Sequence, residues 1–186
     1  YFDMALMFNV GARSDATPAS HSAQRVQVMA RNGASNDLAQ WNRLATWPIS
    51  SGKPCGQKIE TPTGVFKFNP GRMHSDYGSN AFRDEKGDKI QMYETMFLYH
   101  DYQAEAASAD RCAGGVCTTG VALHGTYVTE KLGRRDSGGC IRLYRDQMTC
   151  LFKTFKGDSP NQCLAGSLDS YWGRVPSLVA RNGEAD

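Results

Sequence analysis

Two short strand-like runs limit what this chain can fold into more than any other part of it. One is Leu123-His124-Gly125-Thr126; the other is Ser137-Gly138-Gly139-Cys140-Ile141-Arg142-Leu143, with a polar, Gly-bearing loop between them. Each places one reactive side chain on an apolar or small-residue segment, so the two together ask for a strand bearing an imidazole and a strand bearing a thiol. A thiol is a useful nucleophile only as thiolate, and a nearby imidazole accepts its proton at neutral pH. Gly138 and Gly139 let the backbone N–H groups of the turn, that of Cys140 included, approach a reacting carbonyl and stabilise a developing oxyanion. These residues are the minimum equipment for acyl transfer.

Either half alone has a plainer reading: a single His beside Gly is more often structural, and a single Cys in an exported chain is more often half of a disulfide. The joint pattern is far more specific. It resembles the YkuD-type L,D-transpeptidase catalytic domain, whose signature is HGT, a loop, then S-[HAGS]-G-C-[IV]-R-[ML]; His124 to Thr126 and Ser137 to Leu143 match it. Trp47-Pro48-Ile49-Ser50-Ser51-Gly52-Lys53 is similar to that family's WPVSTGK strand and turn, and Thr61-Pro62-Thr63-Gly64-Val65-Phe66 to its TPTGxF. The resemblance covers residues 22 to 156 or so.

The resemblance implies that Cys140 attacks the carbonyl of the third residue of a peptidoglycan stem peptide, usually meso-diaminopimelate. D-alanine leaves, and an amine on a second stem takes the acyl group from the thioester. His124 would take the thiol proton and return it to the leaving amine, with groups near Gly125 and Thr126 orienting its ring. Arg142 is expected either in the cleft, where its fork holds a substrate carboxylate, or outside as a solvated strand charge; the family's arginine at this place favours the cleft. Ser137 stands between a turn hydrogen bond and a ligand contact. Tyr93, Met92 and Phe97 resemble a cleft-lining strand of the family, with a core role equally open for each. Many members carry His where this chain has Gly138, but others have a small residue there, so His124 is taken as the required base. No Asp or Glu lies in the motifs, so no third, carboxylate member is assigned. The same family resemblance implies no cofactor, and carbapenem-type β-lactams as inhibitors.

Competing chemistries fit less well. There is no CxxC pair and no closely spaced His pair, so a zinc site is not expected. A carboxypeptidase or amidase would use the same acyl-enzyme with water as acceptor. A wall-binding module without turnover would have no use for both His124 and Cys140.

The chain of 186 residues reads as one domain, and its formal charge of +2 gives no electrostatic case for nucleic acid. No apolar run is long enough to span a bilayer. The six cysteines point to an oxidising compartment, and the resemblance implies that this is a bacterial periplasm or cell envelope. The apolar start, Tyr1 to Val10, has an early Asp and no basic stretch, which reads as a chain whose leader is missing. Pairings Cys112 to Cys117 and Cys150 to Cys163 would leave Cys55 over, and Cys55 with Cys112 or Cys117 is a rival.

Residues 1–21 read as a mobile lead-in, and 22–186 as the catalytic domain with a divergent tail from about 157. Strands are predicted at Gln24 to Met29, Gln40 to Ser50, Gly64 to Phe68, Ile90 to Tyr99, Gly120 to Val128 and Cys140 to Leu143, with Arg174 to Ala180 as a candidate last strand. The fold class is mainly β, a sandwich or barrel, with one helix from Arg145 to Lys156 after the cysteine. The segments Gly71 to Asp88 and Asp101 to Gly115 read as long connections, either of them a candidate lid.

Overall fold

The computed structural model describes residues 4–10, 24–33, 37–53, 60–100, 112–113, 116–156 and 176–180. They form a nine-stranded, curled sheet and one α-helix. In chain order the strands are β1 (Met4–Asn9), β2 (Arg25–Ala30), β3 (Asn42–Pro48), β4 (Gly64–Arg83), β5 (Lys89–His100), β6 (Cys112–Ala113), β7 (Val116–Thr126), β8 (Ile141–Tyr144) and β9 (Pro176–Ala180), with α1 (Arg145–Lys156) following β8. The spatial order is β3-β2-β1-β9-β4-β5-β7-β6, with β8 added alongside β7. Most neighbours are antiparallel; β1 with β9 and β7 with β8 are parallel.

Alternation in sequence becomes a two-faced sheet. Val26 and Val28 of β2 are fully buried while Gln27 between them is only partly so, the period of two that a half-buried strand shows. Leu6, Phe8, Ile49, Phe66, Met96, Leu98, Leu123, Ile141 and Leu143 fill the same core. Met148 and Leu151 of α1 reach into it from the helix, each such side chain contributing about 1.5–3 kcal/mol by leaving water. Asp146 lies in the first turn of α1, and Lys153 and Lys156 in the last, which suits the helix dipole. Helix α1 and strand β7 together brace β8, the strand that follows Cys140.

The sheet curls until the chain beyond β3 meets β8. Ser50 and Arg142 exchange two backbone hydrogen bonds of 2.9 and 2.8 Å, and Gly52 bridges to Ser137. Gln24 clamps the same corner: its Oε1 accepts from Ser51 N at 3.0 Å and its Nε2 donates to Ser51 Oγ at 2.8 Å and to the Val10 carbonyl. The Trp47 to Lys53 motif therefore lies against the cysteine motif for a structural reason. It closes the curl.

Two expectations change. Met4–Asn9 is not part of a mobile lead-in but an inner strand of the sheet, with Leu6 and Phe8 buried; the polar stretch after it masked an ordinary apolar strand. Residues 11–23 lie outside the described set. The expected connection from Gly71 is instead the continuation of β4, paired with β5 out to Arg83 and Lys89, so only the turn from Asp84 to Asp88 is left as a loop. The second candidate lid falls mostly on residues outside the described set. The tail strand is present as β9, seated between β1 and β4.

Candidate active site

Strands β7 and β8 run side by side and parallel, with Leu123 opposite Ile141 and His124 opposite Arg142. Leu123 and Ile141 point into the core, so His124 and Arg142 share the other face, and Cys140, two residues before Arg142, shares it too. Cys140 is half-buried and is the free cysteine among the described residues. Cys150 is disulfide-bonded; Cys55 and Cys163 lie outside the described residues, as do the side chains of Cys112 and Cys117.

His124 is 7% exposed, and its Nδ1 lies 3.0 Å from the Gly125 carbonyl oxygen. A carbonyl only accepts, so Nδ1 carries the proton and donates, which leaves Nε2 as the base nitrogen. The Gly125 carbonyl thus holds the ring by its Nδ1 side. Its own lack of a side chain has a packing cause: a Cβ there would lie 3.3 Å from Arg145 Cα and 3.4 Å from Cβ of Met148 and of Tyr93. Thr126 does something else, its Oγ1 accepting from Val128 N at 3.1 Å to hold the turn.

Burial lowers the His124 pKa to about 4, the Gly125 hydrogen bond opposing and the Arg142 charge adding to the shift. Burial also pushes the Cys140 thiol up, against smaller lowering effects from the Ala122 backbone and Arg142. Both shifts favour the uncharged forms, so at neutral pH thiol and imidazole are neutral. Arg142 is 17% exposed in its side chain and its Nη2 lies 3.6 Å from Asp136 Oδ2, which also meets Lys131 Nζ at 3.1 Å. Burial lowers the Arg142 pKa, while Asp136 and Cys140 raise it. The guanidinium is thus mostly buried, paired with Asp136 and within electrostatic reach of the thiol, rather than a solvated charge.

The loop before Cys140 is wired from within. Ser137 is 1% exposed; its Oγ accepts from Gly139 N at 3.2 Å and donates to the Cys140 carbonyl. Its hydroxyl is committed to the turn, so the ligand-contact reading falls away. The same bond takes the Gly139 N–H out of the candidate oxyanion set, leaving those of Gly138 and Cys140. Gly139 has φ +130°, a conformation that glycine alone adopts readily, and its carbonyl accepts from Thr61 Oγ1 at 2.7 Å, which in turn accepts from Gly52 N at 2.8 Å. Arg135 adds a further brace, with Nη2 2.5 Å from Glu60 Oε1 and Nε 3.2 Å from the Gly52 carbonyl.

The strand residues diverge. Tyr93 stacks edge to face with Tyr127 at 5.4 Å, with Arg145 Cζ 4.2 Å from its ring centre; it is drawn to the start of α1 and makes no described contact with Cys140. Met92 is 6% exposed and its carbonyl accepts from Thr95 Oγ1 at 2.9 Å, a core position. Phe97 pairs with Ala122, the residue beside the Cys140 level, and packs with His74 and Tyr77. No group of three or more His, Cys, Asp or Glu among the described residues could hold a metal ion. Two residues escaped the sequence reading: Asp136, adjacent to the motif but unremarkable as a surface acid, and Phe82, distant from it, which no local signal marks.

The sequence matches the family model of the L,D-transpeptidase catalytic domain over residues 19–162, most of the chain. The chain belongs to that family. The fold of this L,D-transpeptidase domain is similar to that of an L,D-transpeptidase from Mycobacterium smegmatis, with a TM-score of 0.50 and 17% identity over 96% of this chain and 58% of that one. It is similar to the same degree to the L,D-transpeptidase LdtMt1 in complex with imipenem, with a TM-score of 0.50 and 16% identity over 95% of this chain and 59% of that one. At such identities the likeness is one of fold. The chain spans less than two thirds of the length of either structure. No curated protein matches it.

Proposed function

We propose that this chain is a cysteine acyltransferase acting on peptidoglycan stem peptides. The observation that supports the reading is the shared face of β7 and β8, where His124, with Nε2 left as acceptor, lies across from Arg142, and Cys140 precedes Arg142 by two residues within reach of its charge. Cys140 Sγ gives its proton to His124 and attacks the carbonyl of the diaminopimelate residue. The backbone N–H groups of Gly138 and Cys140 receive the oxyanion. Collapse of the tetrahedral species expels D-alanine, whose amine takes the proton from His124, and leaves a thioester on Cys140. An amine of a second stem then displaces the thiol. Arg142, held by Asp136, is suited to a carboxylate on the donor. That substrate places the protein in the bacterial cell envelope, and a carbapenem, with its strained carbonyl, is the corresponding inhibitor; imipenem is bound to LdtMt1 in one similar structure.

A hydrolytic outcome uses every step but the last, with water as the acceptor. Incubation with defined tetrapeptide stems and mass analysis of the products tests the reading. Cross-linked dimer is expected, with loss of one D-alanine for each link. Unchanged tetrapeptide under conditions where the protein is folded would contradict it.

A further inference from the structure

Phe82 sits where β4 departs from regular pairing. Gly78 is opposite Gln91, yet the next registered pair is Arg83 with Lys89, so β4 runs through more residues than β5 between the two pairs and bulges outward. The bulge is tied: Phe82 N donates to Ser79 Oγ at 3.1 Å, and Arg83 Nη1 donates to the Ser79 carbonyl at 3.1 Å. The turn beyond it is held by Asp84 Oδ1, which accepts from Lys86 N and Asp88 N, both at 2.9 Å. Bulges of this kind re-aim a side chain. Here the side chain is aimed at Gly138.

A Cβ placed on Gly138 would lie 2.5 Å from both Cε2 and Cζ of Phe82. The ring therefore rests directly on the glycine that precedes Gly139 and Cys140, a residue whose backbone N–H is proposed to hold the oxyanion. Both residues are half-buried, so the ring packs on the turn that leads to Cys140 while keeping one side toward solvent.

We infer that Phe82 shields the Cys140 acyl-enzyme from water and so selects an amine as the acyl acceptor, an inference that rests on the acyl-enzyme reading above. Two fates compete for the thioester. In one, the acceptor nitrogen attacks the carbonyl carbon, the C–S bond breaks, and the nitrogen's proton returns through His124 to the thiolate, giving an amide. In the other, water oxygen attacks, the same bond breaks, and a tripeptide carboxylic acid and the thiol result. An amine arrives tethered to its own stem, whose contacts can move or bypass the ring; a lone water has no such binding energy. An apolar ring over Gly138 thus raises the barrier for water more than for the stem amine.

The test is the ratio of hydrolysed tripeptide to cross-linked dimer from defined tetrapeptide stems, in the parent, Phe82→Ala and Phe82→Leu, with acyl-enzyme formation followed separately by intact mass. Phe82→Ala is expected to raise the ratio about tenfold, equivalent to about 1.4 kcal/mol between the two barriers, with Phe82→Leu restoring much of the parent value and acylation still occurring in all three. An unchanged ratio with normal acylation overturns the shielding role and leaves the acyl-enzyme reading intact. A parent that acylates but yields tripeptide alone also overturns it. Absence of any acyl-enzyme in the folded parent overturns both. If Phe82→Ala fails to fold, Phe82→Val, which also removes the ring, takes its place: a raised ratio supports shielding, and a ratio equal to the parent's with normal acylation refutes it.

Discussion

Arg142 stands directly across the β7–β8 ladder from His124, and its charge acts on both members of the pair: it lowers the imidazole pKa as burial does, and it lowers the thiol pKa against burial. One guanidinium therefore keeps the base neutral and eases ionisation of the nucleophile. Replacing it separates these effects from mere packing. In Arg142→Gln the pH profile for alkylation of Cys140 by iodoacetamide should move to higher pH, and acylation by a carbapenem should slow by roughly 10- to 100-fold if the charge also holds the drug's carboxylate. Parent-like behaviour on both counts, with unchanged circular dichroism, would make Arg142 a bystander.

His124 should make the fold acid-sensitive. The unfolded chain protonates this residue near pH 6.5, whereas the folded protein does so only near 4. Between those values the unfolded state binds the extra proton, so stability is full above 6.5 and falls as pH drops through the window, by up to on the order of 3 kcal/mol. Urea denaturation at pH 7, 5.5 and 4 should show a smaller loss in His124→Gln than in the parent. Parallel losses would mean that the ring is not buried as described.

Gly138→Ala should destabilise the protein by about 1–3 kcal/mol, because the added methyl overlaps the Phe82 ring. The cost should shrink when Phe82→Ala is added, a coupling that a double-mutant cycle in chemical denaturation reads directly. Additive effects would deny the contact.

Ser137→Ala leaves Gly139 N and the Cys140 carbonyl without their shared partner. A loss of about 1–3 kcal/mol in unfolding free energy is expected, together with slower acylation of Cys140. A variant as stable as the parent would show that the turn holds without the hydroxyl.

Much of this arrangement was legible in the sequence because local pattern and tertiary role coincide. Leu123 and Ile141 announce buried strand positions, the His and Cys beside them fall on the opposite face by alternation alone, and the helix from Arg145 to Lys156 carries its own apolar stripe and stop. What depends on residues far apart was not legible. Gln24 clamping Ser51, Thr61 joining Gly52 to Gly139, and Phe82 covering Gly138 arise from the curl of the sheet, which no short window contains. Gly139 reads toward an oxyanion role, Thr126 toward orienting the base, and Ser137 equally toward a turn or a ligand, because their types allow it; the backbone around them uses those groups first. The lead-in was misjudged for a related reason: Met4–Asn9 is a six-residue apolar strand whose partners, β2 and β9, come much later in the chain.

The central claim is that Cys140 forms the acyl-enzyme, and mapping the adduct tests it most directly. The folded protein, incubated with a carbapenem or a tetrapeptide stem and then digested, should show the added mass on the peptide bearing Cys140, and Cys140→Ala should show none and make no product. An adduct mapped to another residue, or a Cys140→Ala variant that still releases D-alanine at the parent rate, would contradict the account.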